Sequence, residues 1–247
     1  MFRFGLDKKT MILLVFVTLL MGALARGMAG ILDLLFAIPG VLIALTFHEF
    51  AHGYVAYKLG DDTPKIQGRL NLNPLTHIDP MGFAFLVAAG FGWGKPIEIN
   101  SRNFNGKYSV SKAEAIVAAA GPIMNFIVAF VILLIIEIVL KVANITILSL
   151  GSWQGVLVQM AITAASINIG LGIFNLIPLP PLDGSKILMH FLPYNKKQWF
   201  YEKEQILYLI FLLMVITGFA KMFINPIFEI VIQGMIWCTS NIVGIFM

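Results

Sequence analysis

The chain is poor in cysteine, in charge and in histidine, and each shortage excludes something. Cys238 is the only cysteine among 247 residues, so no disulfide can close within the chain and no cysteine-rich metal site can form. Charged residues make up 12% and hydrophobic residues 59%. That balance excludes a soluble globular domain and describes a multi-pass membrane protein with the lipid bilayer as its solvent, so counting soluble domains from length does not apply. The net charge of +4 is small and does not suggest nucleic-acid binding. Only four histidines are present, and two of them stand close together in an apolar run.

The apolar runs predict an all-α polytopic fold with about six transmembrane helices. They cover Thr10–Ala25, Gly30–Tyr57, Ala113–Leu140, Trp153–Leu182, Gln205–Ala220 and Phe223–Met247. The first run is short for a span and could be read as a signal peptide, with Ala23-Leu24-Ala25 resembling a cleavage site. A retained first span fits the rest of the topology. If odd-numbered spans run outward, fourteen of the Lys and Arg residues fall on the cytosolic side and three on the outer side. This positive-inside bias places the N-terminus in the cytosol.

The second run carries His48-Glu49-Phe50-Ala51-His52, an H-E-x-x-H motif. Histidines four apart on a helix share one face, so both imidazoles can grip one Zn²⁺. Glu49 between them can then serve as the general base toward water at the metal. Ten residues separate His48 from Lys58. At the helical rise this puts the motif about 15 Å from the charged cytosolic end, inside the membrane. Ionisable groups are expensive there and mark functional sites. The alternative is a polar cluster that lines a cavity or joins two helices.

Between the second and third runs, residues 58–111 are rich in Gly, Asn, Asp and Pro. Arg69–Asn73 and Pro96–Asn100 alternate apolar and polar residues, which predicts two short strands. Phe83–Phe91, apolar but too short to cross, lies between them. A re-entrant segment with a β-hairpin is therefore expected. Edge-strand pairing from this region could hold an unwound substrate peptide.

A catalytic zinc needs a third protein ligand and an open position. Asp183 follows a long apolar run and Pro178, Pro180 and Pro181, which free it from a helical face. On residues alone it is either a ligand or a turn residue before Gly184. Asn125 could bind substrate backbone or an oxyanion, or simply join two helices. Asn175 could orient the segment bearing Asp183 or cap a broken helix. His77 and Asp79 could hold a second metal, though the Asn and Pro residues around them favour a turn. His190 reads as structural, Asp33 and Glu137 as hydrated span ends.

The sequence resembles the site-2 protease family of intramembrane zinc metalloproteases. The matching elements are His48-Glu49-Phe50-Ala51-His52-Gly53, Gly121-Pro122-Ile123-Met124-Asn125 and the segment from Asn175 to Gly184, of N-x-x-P-x-x-x-L-D-G type. Residues 71–80 and 92–96 are similar to a small prokaryotic subgroup. The resemblance implies one Zn²⁺ per chain held by His48, His52 and Asp183, with Glu49 catalytic. It implies hydrolysis of peptide bonds within or near transmembrane segments of protein substrates. It also implies a single membrane-embedded peptidase domain over 1–247, with a core at 31–192 and accessory spans at 10–25 and 205–247. Family members often carry PDZ or CBS domains, for which this chain has no room; a regulatory membrane protein or a homo-oligomer is the expected substitute. The competing classes are an ion or solute transporter, which an inverted repeat would favour, and a non-catalytic relative that binds membrane segments. No inverted repeat is visible, and Glu49 and both histidines are intact.

Overall fold

Helices in lipid must satisfy their own backbone, and the long apolar runs of this chain do so. The computed structural model describes residues 8–89, 92–143 and 153–246. Besides one 3-10 turn at Ser101–Asn103, ten α-helices occur among them. They are α1 (Lys8–Lys58), α2 (Thr63–Ile66), α3 (Pro74–His77), α4 (Pro80–Ala89), α5 (Val110–Val142), α6 (Trp153–Asn175), α7 (Asp183–Phe191), α8 (Tyr194–Glu202), α9 (Glu204–Ile216) and α10 (Phe219–Phe246). Among the described residues, four segments are long and apolar enough to cross a bilayer: Gly30–Lys58 of α1, then α5, α6 and α10. α1 is broken at Gly27, whose φ of 63° is a conformation that glycine adopts without strain. The Thr10–Ala25 run continues α1 as helix, but most of its side chains lie outside the described set. α9 is 13 residues long, about 20 Å at the helical rise, against a hydrocarbon core of about 30 Å.

The segment that carries the motif packs between α5 and α6. Small residues allow the close approach: a Cβ on Gly40 would stand 2.7 Å from Ala164 Cα on α6. Van der Waals packing of this kind, rather than hydrophobic exclusion, joins helices in lipid. α10 lies against the other side of α5 and α6, where Ala129, Leu133, Ala165, Ile169 and Ile173 form a buried cluster under Ile224, Phe228, Val231, Ile232 and Met235. A second cluster, Ala56, Leu59, Ala113 and Val117, pins the end of α1 to the start of α5.

The polar segment between α1 and α5 folds as short helices and irregular chain. Asn73 caps α3 by accepting from Leu75 N, with Pro74 at the first helical position. Asp79 caps α4 through Met81 N and Gly82 N. Among the described residues the only β-pairing is an isolated antiparallel bridge, Ile78 to Gly94; Gly90 and Phe91 lie outside the described set. The stretches Arg69–Asn73 and Pro96–Asn100 do not pair as strands. Side chains take up their backbone groups instead: Glu49 Oε2 accepts from Ile97 N and Asp61 Oδ2 accepts from Asn100 N. The short apolar segment expected between them is α4.

Candidate metal centre

α1 supplies two imidazoles one turn apart, and the bend after α6 brings a carboxylate to meet them. His48 Nε2 and His52 Nε2 are 3.0 Å apart. Each lies 3.2 Å from Asp183 Oδ2. Among the described residues this is the one group of three such side chains whose ligand atoms converge. Both histidines are buried.

The hydrogen bonds on the far side of each ring fix its tautomer. His52 Nδ1 lies 2.7 Å from Val117 O, a carbonyl that can only accept, so Nδ1 carries the proton. His48 Nδ1 lies 2.7 Å from Asn125 Oδ1, and the Asn125 amide donates in turn to Ala44 O and Asn168 Oδ1. His48 therefore also carries its proton on Nδ1. Two Nε2 lone pairs and a carboxylate oxygen then face one another, and Asp183 Oδ2 is buried with no hydrogen-bond donor among the described residues. Three acceptors that close need a cation between them. A tetrahedral zinc with donors at about 2.0–2.1 Å holds them about 3.3 Å apart, and the observed separations fit. Gly121 on α5 completes the cradle: a Cβ there would run into His52 Nε2 and His48 Cε1.

Asp183 is delivered by close packing at its neighbour. A Cβ on Gly184 would collide with the carbonyl oxygens of Leu176 and Ile177. Ser185 Oγ donates to Leu182 O beside it. Asp183 thus opens α7, in a helix start where a carboxylate is favoured by the dipole.

Glu49, one residue from the first histidine, opens onto a cavity of about 540 Å³ that His48, His52, Asp183, Pro96, Ile97 and Asn175 also line. Ile97 N donates to Glu49 Oε2 at 2.8 Å, which holds one carboxylate oxygen. The segment bearing that amide is tethered behind by Arg69, a buried guanidinium donating to Lys95 O at 2.6 Å.

Of the other residues singled out by sequence, Asn125 sits at 0% exposure behind His48, not in the cavity. Its side chain is spent on a ring and two carbonyl-type acceptors. Asn175 does line the cavity, and its amide donates to Leu171 O on its own helix. His77 and Asp79 are not brought together with a third ligand: His77 Nε2 bonds Asn71 O, and Asp79 caps α4. His190 lies on α7, outside the converging group, with Nδ1 lacking a partner. Sequence reading does not mark Asn168 at all; it marks Gly121 only as the start of the G-P-x-x-N element, and Arg69 and Ile97 only within the two expected strands. Asn168 carried a signal, an amide in the middle of an apolar span.

Residues 138–218, the stretch that contains Asp183, match the family model described as Peptidase family M50. A Bacillus subtilis protein described as a putative zinc metalloprotease, YwhC, is 37% identical over 188 residues, which is 75% of this chain and 82% of the relative. Proteins described as putative zinc metalloprotease Rip2 are 30% identical over 152 residues in Mycolicibacterium smegmatis and 28% over 155 in Mycobacterium tuberculosis. In both, the match covers 60% of this chain and 53% of the relative. No solved structure matches the chain. A relative matched over most of its length, a family model that spans the Asp183 segment and a converging His-His-Asp group agree: the chain belongs to peptidase family M50, the zinc metalloproteases of site-2 protease type.

Proposed function

We propose that this intramembrane zinc metalloprotease cuts transmembrane protein substrates within or near their spans, using Glu49 as proton carrier and His48, His52 and Asp183 as metal ligands. The observation that carries the assignment is the meeting of those three ligand atoms beside Glu49 in one cavity. Zinc, when bound, supplies the Lewis acidity that polarises the scissile carbonyl and acidifies water. The chain's own residues do the rest. Glu49, steadied by Ile97 N–H, takes a proton from the attacking water as the new C–O bond forms at the carbonyl carbon. It returns that proton to the nitrogen as the C–N bond breaks, so the amine leaves neutral. His48 and His52 keep their Nδ1 protons throughout, because Asn125 and Val117 O hold them. Asn175 at the cavity wall is a candidate for contact with substrate backbone.

A helical substrate shields its carbonyls, so the segment must unwind to reach Glu49. The chain around Ile97–Asn100, lying along the cavity, would pair with the unwound peptide as an added strand. We place the N-terminus and the site's mouth on the cytosolic side, from the fourteen-to-three bias of Lys and Arg. We also infer six crossings of a cytoplasmic membrane, counting the run before Gly27 and the short α9, which the bilayer accommodates by thinning. One membrane-embedded peptidase domain, with its core at 31–192, is the corresponding organisation. Control by a separate membrane protein or by self-association is part of this reading. Purified protein holding one zinc, cutting a transmembrane reporter and losing turnover in Glu49→Gln supports the assignment. Turnover in metal-free protein overturns it.

A further inference from the structure

We propose that Asn168 on α6 is a positioning residue for the metal centre, acting through Asn125 to hold His48 in its ligating tautomer. The inference rests on the reading of His48 as a zinc ligand. Asn168 touches neither the cavity nor any ligand atom. It is fully buried in the middle of a membrane span, where an amide is costly unless every polar atom is used. Its Nδ2 donates to Ala164 O, one turn back on α6, at 2.8 Å. That carbonyl cannot donate, so the Asn168 amide has one allowed orientation, with Oδ1 facing Asn125.

Asn125 is constrained in the same way. Its Nδ2 donates to Asn168 Oδ1 and to Ala44 O, both at 3.0 Å. Both partners are acceptors, so Oδ1 must face His48 Nδ1 at 2.7 Å, and that nitrogen must carry the ring proton. The row is therefore directional. Backbone carbonyls at Ala164 and Ala44 anchor it, and turning either amide over would oppose donor to donor and acceptor to acceptor. Its product is the His48 Nε2 lone pair aimed at Asp183. Three helices are threaded by this row, and α6 leads directly to the bend that carries Asp183. Docking of α6 thus delivers the third ligand and orients the first one together. Partners of this kind behind a metal ligand typically change metal affinity by about 10–100-fold when removed.

The test is zinc affinity by chelator competition on purified full-length protein, with thermal unfolding of each metal-free variant alongside. Asn168→Leu keeps the branched shape in a somewhat larger side chain and removes both the acceptor and the donor; it is expected to weaken zinc about 10–100-fold. Asn168→Asp keeps an oxygen that can accept from Asn125 in a side chain of nearly the same size; zinc affinity within about threefold of wild type is expected. Asn125→Leu is expected to lose affinity like Asn168→Leu, and the double variant to lose no more than Asn125→Leu alone, because the two act in one row. Wild-type affinity in Asn168→Leu would overturn the proposal, as would losses in the double variant that multiply. If Asn168→Leu does not fold, Asn168→Asp decides: weakened zinc in a protein as stable as wild type refutes the row. Failure of wild type itself to bind zinc would instead refute the metalloprotease reading.

Discussion

Replacing Gly121 by alanine should disarm the site without unfolding the protein. The added Cβ would stand 2.6 Å from His48 Cε1 and closer still to His52 Nε2. Carbon atoms in good contact sit about 3.5–4.0 Å apart. Relief therefore needs a shift of about 1 Å by both rings or by α5. Neither ring can retreat freely, since Nδ1 of each is tied to α5 itself, at Asn125 and Val117. A shift of this size in a catalytic constellation costs about 10²-fold in rate. Turnover of a transmembrane reporter by Gly121→Ala should accordingly fall about 100-fold or more, with zinc affinity about 10–100-fold weaker. Gly170→Ala is the control: that position in α6 has nothing within 4 Å of the added Cβ. Helix propensity there favours alanine, so rate and zinc should hold. Wild-type zinc affinity and turnover in Gly121→Ala would mean that the ligand set does not face α5 as described.

Further outcomes follow from the same geometry. Glu49→Gln should keep stoichiometric zinc and abolish proteolysis; residual wild-type turnover would remove Glu49 from proton transfer. Ile97→Pro deletes the N–H that holds Glu49 Oε2, so cleavage should drop about tenfold or more while zinc content is unchanged. Unaltered cleavage would remove that support from the account. Asp61 is fully buried in the polar segment. Burial pushes its carboxyl up, but hydrogen bonds from the Thr63 hydroxyl, Asn100 N, Asn103 and Thr63 N outweigh this and hold it below the usual carboxylate range. A lowered folded value stabilises the fold above about pH 4, the unfolded value, and that contribution is lost as pH falls through the folded one. Asp61→Ala should lower stability by about 2–3 kcal/mol at pH 7, and the gap from wild type should close under acid. A gap independent of pH would contradict the network.

The parts of the site legible in the sequence are those fixed by local spacing. His48, Glu49 and His52 are placed by one turn of helix, and Asp183 by prolines that end α6 and a glycine that lets α7 pack against Leu176 and Ile177. The spans of α5 and α6 follow from hydropathy alone. What spacing does not encode is how helices rotate against each other. Asn125 reads from sequence as an oxyanion or interhelical group; only the docking of α5 between α1 and α6 turns its oxygen to His48. What Asn168 and Gly121 touch is hidden in the sequence for the same reason. The alternation in Pro96–Asn100 suggests a strand because Ile97 is buried and Glu98 exposed. Ladder partners are replaced by the carboxylates of Glu49 and Asp61, which lie 48 and 39 positions away. Arg69–Asn73 fails as a strand because Asn71 and Asn73 turn the chain into α3, through Asn71 Oδ1 to Asn73 N and Asn73 Oδ1 to Leu75 N.

The central claim, that α1 and the bend after α6 together build one metal site, is tested most directly by zinc content in purified wild type and Asp183→Ala. The account predicts about one zinc per chain in wild type and its loss in a variant that remains folded. Zinc retained at full stoichiometry in Asp183→Ala, or none in folded wild type, would contradict it.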